Sequence, residues 1–381
     1  MTKNNKLIFL SALFRSMASS INLSTGLILI QSITSSDVMA TVIRSIAFFS
    51  TSIFIKPLNR LAQKLGRKQA IWLSYLINIL SIIMIILASI IDNSLVMVVA
   101  VLLNGAGAAG LMQTRFFLTE TSMHASKSLG RYLLVTAVGS VIGPSIVGMK
   151  IGGISQFTST YIIVLLLTIL GALSFYYVAD NKAKTYQNIP NPKRKFETIH
   201  LDYFFCGLSY AMIQFIMTGT MTIVPLYLSK NGSSLERIGL LMSGHMIGMY
   251  LFSPVFSWLY EKIGSKLVTA TFVIVILTEF ACLTTENWRY SGINLFVIGL
   301  AWSSISVTST MEMSKLSQAK MGWQGIFDTL YALFGGFGVL LSGVIFKVGG
   351  YHFVLIFYGI LCFIMMIGQI YGEKHKDVVK N

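Results

Sequence analysis

The chain has 381 residues, of which 54% are hydrophobic and only 11% charged, with a mean hydropathy of +0.72. An ordinary soluble domain is roughly 25% charged, so water is not the main solvent here. A net charge of +15 would suit a nucleic-acid binder, but the basic residues fall in short loops between apolar runs, and no nucleic-acid partner is expected.

A helix needs about 20 largely apolar residues to cross a hydrocarbon core of about 30 Å, and in lipid its backbone polar groups must bond to one another. The apolar runs are therefore expected to be helices. Six prolines in the whole chain are too few to punctuate a many-stranded barrel, whose ten-residue alternation is also absent. Cys206, Cys282 and Cys362 each sit inside an apolar run without metal-ligand spacing. Neither a disulfide nor a metal site is expected.

In chain order, apolar runs lie near residues 7–31, 38–58, 68–91, 94–118, 130–151 and 157–178. The first contains Arg15 and shows no small-residue cleavage site, so it reads as a retained span rather than a signal peptide. A polar stretch, 180–200, follows with Pro190, Pro192 and the triplet Lys193, Arg194, Lys195. Six more runs lie near 202–228, 235–260, 267–285, 291–316, 323–347 and 351–371. The expectation is an all-α membrane protein of twelve transmembrane helices. It divides into an N-terminal six-helix half (1–179), a linker (180–200) and a C-terminal six-helix half (201–381).

Cytoplasmic loops of membrane proteins are enriched in Lys and Arg. With the N-terminus inside, 21 of the 29 basic residues fall on the cytoplasmic side, five fall outside, and Arg15, Arg44 and Arg115 lie within spans. Both termini and the linker are thus expected in the cytoplasm, with the chain in the inner or plasma membrane of the cell.

Between the second and third runs stands a loop with Asn59, Leu61, Ala62, Gln63, Gly66, Arg67 and Lys68. At a constant offset of 198 stands a second, with Ser257, Leu259, Tyr260, Glu261, Gly264, Ser265 and Lys266. The glycine makes a tight turn and the cations hold it at the anionic cytoplasmic leaflet. The fifth run carries Gly130, Gly139, Gly143, Pro144 and Gly148, and Gly325, Gly338 and Gly343 follow Gly130, Gly143 and Gly148 at an offset of 195. Val339 replaces the proline in the second half.

The repeated loop resembles the signature loop of the major facilitator superfamily, and the glycines of the fifth run resemble that family's antiporter motif. There Val147 replaces the penultimate glycine. The run Asn104 to Ala109 resembles the fourth-helix motif, with Val101 where the family has an arginine; Arg115 either compensates or does not. Asn59 and Gln63 depart from the family's glycine and acid, which weakens the expected cytoplasmic latch, while Glu261 keeps the acid in the second copy. The resemblance implies two pseudo-symmetric six-helix halves working by alternating access. It also implies a monomer that exports a small molecule in exchange for protons, with no cofactor and the lipid bilayer as its surroundings.

Ionisable residues inside spans mark a pathway, a relay or an internal pair. Ser11, Arg15, Ser19, Asn22 and Gly26 recur at helical spacing on one face of the first run and are expected to line the cavity. Arg44 and Arg115 add cations that either bind ligand or snorkel to the headgroups. Unpaired arginines would suit an anionic substrate, such as a carboxylate metabolite or siderophore. Coupling candidates are Asp328, His245 and Glu312, each with a structural alternative. Glu279, on a helix peripheral in the family, is expected to be structural. Lipophilic drugs as substrate, or an importer or flippase of the same fold, are the alternatives. No HExxH, Walker loop or nucleophile elbow occurs, so no enzyme is expected.

This reading predicts that tags at either terminus or between Lys182 and Lys195 are cytoplasmic. Labelling of any of them by an impermeant reagent from outside would refute the topology.

Overall fold

The computed structural model describes residues 3–114, 117–118, 125–149, 151–179, 201–284, 288–314 and 321–380; these are helices and short turns, with no strand among them. The chain begins with α1 (Lys3–Thr34), α2 (Asp37–Leu65), α3 (Arg67–Ile91), α4 (Ser94–Leu111), α5 (Ala125–Ser145) and α6 (Gln156–Tyr176). Then come α7 (Leu201–Lys230), α8 (Leu235–Ile263), α9 (Lys266–Leu283) and α10 (Trp288–Ser314). The stretch Met321–Lys380 is broken at Gly350 (φ 69°, ψ −164°) into α11 (321–349) and α12 (351–380). Ten stretches are long and apolar enough to cross a membrane, one of them being Thr329–Lys374 with the break inside it. Together with α5 this is consistent with twelve spans.

Local chemistry sets the helix ends. Ser36, Asn93 and Ser155 cap α2, α4 and α6 by accepting from backbone N–H groups of the first turn, the usual service of such N-caps. At the other end, Gly66 and Gly264 adopt φ of 97° and 61°. Each donates its N–H four residues back, to Ala62 at 3.0 Å and to Tyr260 at 2.8 Å. These are the glycines of the repeated loop, and a side chain would be strained at both. Helix α8 differs from the uninterrupted span expected: it breaks at Leu251 and Phe252 into Leu235–Tyr250 and Ser253–Ile263. The cause is Pro254, which has no N–H to give to Tyr250 and so starts a new helix.

By backbone proximity the chain forms two units, Met1–Ile189 with Ser229–Ser243, and Pro190–Leu228 with Gly244–Asn381. In unit one, α1 packs on α2, α5 and α6, while α4 packs on α2 and α3. In unit two, α9 packs on α10 and on the 321–380 helix. The polarity is that of a protein in lipid. On α3 the exposed residues include Leu73, Leu76, Leu80, Ile83 and Leu87, whereas Ser74, Tyr75 and Ser81 are buried.

The same helix pair closes in the same way in both units. A Cβ at Gly143 of α5 would overlap the Met17 carbonyl and the Ser20 hydroxyl of α1; a Cβ at Gly338 of α11 would overlap the Phe215 carbonyl and the Thr218 hydroxyl of α7. The glycines differ by 195 in number and their partners by 198, the offsets found in the sequence. Gly244 of α8, by contrast, has open space where a Cβ would go. Gly338→Ala should therefore lower stability by about 1–3 kcal/mol through overpacking, while Gly244→Ala is neutral or stabilises by up to about 1 kcal/mol through helix propensity. Thermal unfolding of the two purified variants checks this, and equal effects would contradict the close crossing.

Candidate functional site

Ser11, Arg15 and Asn22 of the α1 stripe turn into unit one, while Ser19 is exposed. Arg15 is half-buried, and its Nη2 donates to the Tyr132 hydroxyl of α5 at 2.9 Å. One turn back, Ser11 and the Tyr75 hydroxyl of α3 share a hydrogen bond of 2.6 Å. Further along, Asn22 Nδ2 donates to Asn104 Oδ1 at 3.3 Å, and Asn104 Nδ2 donates to Asn78 Oδ1 at 3.4 Å. The Tyr161 hydroxyl of α6 donates to Asn22 Oδ1 at 2.9 Å. An amide ladder thus ties α1, α4 and α3 together, anchored from α6.

Two cavities flank this ladder. One, about 60 Å³, is lined by Arg15, Ser19, Asn22, Asn78, Asn104 and Thr168. The other, about 10 Å³, is lined by Asn22, Gly26, Arg44, Asn104 and Tyr161 among others. Arg44 is 6% exposed; its guanidinium turns inward across Gly26, where a Cβ would come within 2.8 Å of Nη1. A snorkelling arginine would be exposed at the headgroups, and Arg44 is not. Arg15, Ser19 and Asn22 therefore share one cavity, and Arg44 meets Asn22 in the second.

Sequence reasoning missed Tyr132, Tyr161 and Asn78. For Asn78 a signal existed: Ser74, Asn78 and Ser81 form a polar stripe at spacings of four and three in the otherwise apolar α3. Arg115 lies outside the described residues, as do the side chains of Gln63 and Asp328 and the surroundings of Gly130.

The remaining motif residues occupy the helix ends. Arg67 donates to Gln113 at 2.5 Å, joining the first signature loop to the segment after α4, and Lys68 is half-buried beside it. In unit two the Tyr260 hydroxyl donates to Glu312 at 2.8 Å, joining α8 to α10, while Glu261 is exposed. His245 is fully buried, with Nδ1 2.5 Å from the Leu295 carbonyl of α10. Of the antiporter-motif residues, Gly139 and Gly143 seat α1 at Leu13, Ser16, Met17 and Ser20. Gly148 (φ 97°) leaves room for Glu236, which accepts from Gln156 at 3.1 Å. Next to Pro144, Ser145 and Ser243 are 3.0 Å apart, and Ser243 donates to the Val141 carbonyl at 2.8 Å.

Lipid-facing apolar surfaces around buried polar ladders and arginine-lined cavities define a multi-pass membrane transporter. The chain belongs to the Major Facilitator Superfamily, whose family model matches residues 7–206 and 204–378. It is similar to two Bacillus subtilis (strain 168) proteins, each described as an uncharacterized MFS-type transporter. YddS is 24% identical over 372 residues, covering 90% of this chain and 84% of the relative. YdeG is 26% identical over 333 residues, covering 81% and 77%. Among solved structures, a mutant of the nucleoside transporter NupG superposes with a TM-score of 0.78 at 14% identity, covering 97% of this chain and 100% of that one. A bacterial homolog of the human lysosomal transporter Spinster gives 0.74 at 13% identity, covering 97% and 96%. At these identities the structures speak for the fold alone.

The ladder yields its own test. Asn22→Leu removes the acceptor of Tyr161 and the donor to Asn104, leaving buried polar groups unpaired at about 1–3 kcal/mol each. A clear drop in the unfolding temperature of the purified protein is expected, and an unchanged temperature would show that the ladder carries no stability.

Proposed function

We propose that the protein exports a small anionic molecule, such as a carboxylate metabolite or siderophore, by alternating access in exchange for protons. It would do so as a monomer in the cell membrane, with both termini cytoplasmic and the six-helix halves 1–179 and 201–381 as the alternating bodies. The observation that carries the reading is the Arg15 cavity: a guanidinium held by Tyr132, beside Ser19 and the asparagine ladder, is suited to bind a carboxylate in a bidentate fork. Export is supported by the fifth-helix glycines, which resemble the antiporter motif and form the seat of α1.

A second reading, efflux of lipophilic compounds, is favoured by a half-buried aromatic group in unit two. There Tyr210 and Tyr331 stack with ring centroids 4.2 Å apart, and Trp302 Nε1 donates to Gln214 at 2.9 Å and to Tyr331 at 3.1 Å. Such rings would receive a planar apolar ligand.

The deciding experiment compares metabolites secreted by a deletion strain with those of its parent, then follows the missing compound in vesicles holding the purified protein. Movement driven by an imposed proton gradient is expected. Arg15→Ala should weaken binding of that compound by about 1.5–3 kcal/mol, the worth of a charged hydrogen bond. Arg15→Lys should rescue only in part, since an ammonium lacks the planar fork. A stable Arg15→Ala protein with parental affinity would refute the anionic reading, and gradient-independent movement would refute proton exchange.

A further inference from the structure

We propose that the Arg44 pocket of unit one is a binding site for a compact anion supplied from outside the chain, separate from the Arg15 cavity. Arg44 is more than nine-tenths buried, and a guanidinium is not deprotonated in proteins. Among the described residues it makes no ion pair or hydrogen bond. Among the described acids of unit one, Asp37 pairs with Lys230, Glu236 accepts from Gln156, and Asp92 is exposed at the end of α3. A charge withdrawn from water without a partner is costly enough that buried charges are found paired. The counter-charge of Arg44 has to come from a ligand.

The pocket has the size and lining for one. Its volume of about 10 Å³ is that of about one water, which admits a halide or one carboxylate oxygen rather than a whole organic molecule. Its lining shares only Asn22 and Asn104 with the Arg15 cavity. Arg15 and Gly26, on which the Arg44 guanidinium lies, are eleven residues apart on α1, roughly 16 Å at about 1.5 Å per residue. The two cations are therefore two stations, and an anion at one does not neutralise the other. The shared chemistry is a single compact anionic atom meeting a guanidinium; its source is either a free halide or a small carboxylate.

The test uses the purified full-length protein in detergent, in a low-salt zwitterionic buffer free of chloride and carboxylates, with its unfolding temperature followed as chloride or acetate is added. Saturable stabilisation is expected in the parent and in Arg15→Gln, with apparent affinity reduced at least about tenfold in Arg44→Gln, the loss of one charged hydrogen bond. Response to chloride assigns a halide, and response to acetate alone assigns a carboxylate. Gly26→Ala keeps the charge but crowds Nη1, and should weaken the same response even if Arg44→Gln does not fold. The proposal is overturned if no saturable anion effect exists in the parent, or if both the Arg44 and Gly26 variants keep it. Loss in Arg15→Gln equal to that in Arg44→Gln would overturn the separateness of the site. No transport is measured, so the outcome is independent of the direction of transport and of the substrate.

Discussion

Backbone meets backbone where α5 crosses α1, and again where α11 crosses α7. In lipid the hydrophobic effect does not pull helices together, so association depends on close packing and on polar contacts. Gly143 and Gly338 supply the packing by letting a helix surface lie against the Met17 and Phe215 carbonyls. The rest of unit one follows from that seat. At about 100° per residue, Leu13, Ser16, Met17 and Ser20 cover one side of α1, and Ser11, Arg15, Ser19, Asn22 and Gly26 lie on nearly the opposite side. Docking α5 on the first face leaves most of the second to Tyr75 of α3, Asn104 of α4, Tyr161 of α6 and Arg44 of α2, while Arg15 reaches back to Tyr132 of α5.

What that second face meets is set by the same scarcity of partners. Hydrocarbon offers nothing to an amide or hydroxyl, so each polar group must find a bond inside the protein. Asn22 finds Asn104 and Tyr161, and Asn104 finds Asn78. The ladder fixes the spacing of three helices between the levels of Arg15 and Arg44. The asparagines between the two cavities are committed to one another, whereas Arg44, among the described residues, is not.

The spans were legible because about twenty apolar residues in a row have one physical reading in a bilayer, and the repeated loop was legible because Gly66 and Gly264 serve a backbone conformation. The α8 break was not, since a single proline near the middle of an apolar run kinks some helices and restarts others. The stripe on α1 was legible as a face, but its partners Tyr132 and Tyr161 lie 117 and 139 residues from theirs and only folding brings them near. Arg44 was ambiguous between snorkelling and ligand binding because both begin from the same helix position; in the structure its side chain turns inward over Gly26, away from the headgroups.

The two units share a packing scheme but not a charge scheme. Among the described residues, unit one carries Arg15 and Arg44 in its interior, whereas unit two buries Asp202, Glu279 and Glu312, of which Glu279 accepts from Asn294 and Glu312 from Tyr260. One oxygen of Glu279 has no hydrogen-bond partner among the described residues. Pseudo-symmetry therefore repeats what lipid demands of every helix pair, the small residue at the crossing, and releases the interior positions that lipid never touches. For the proposed exchange this division has a direct chemical consequence. In that proposal the anion would be held in the unit whose interior carries Arg15 and Arg44 and the proton on the acids of the other, so the two ligands would not compete for one side chain.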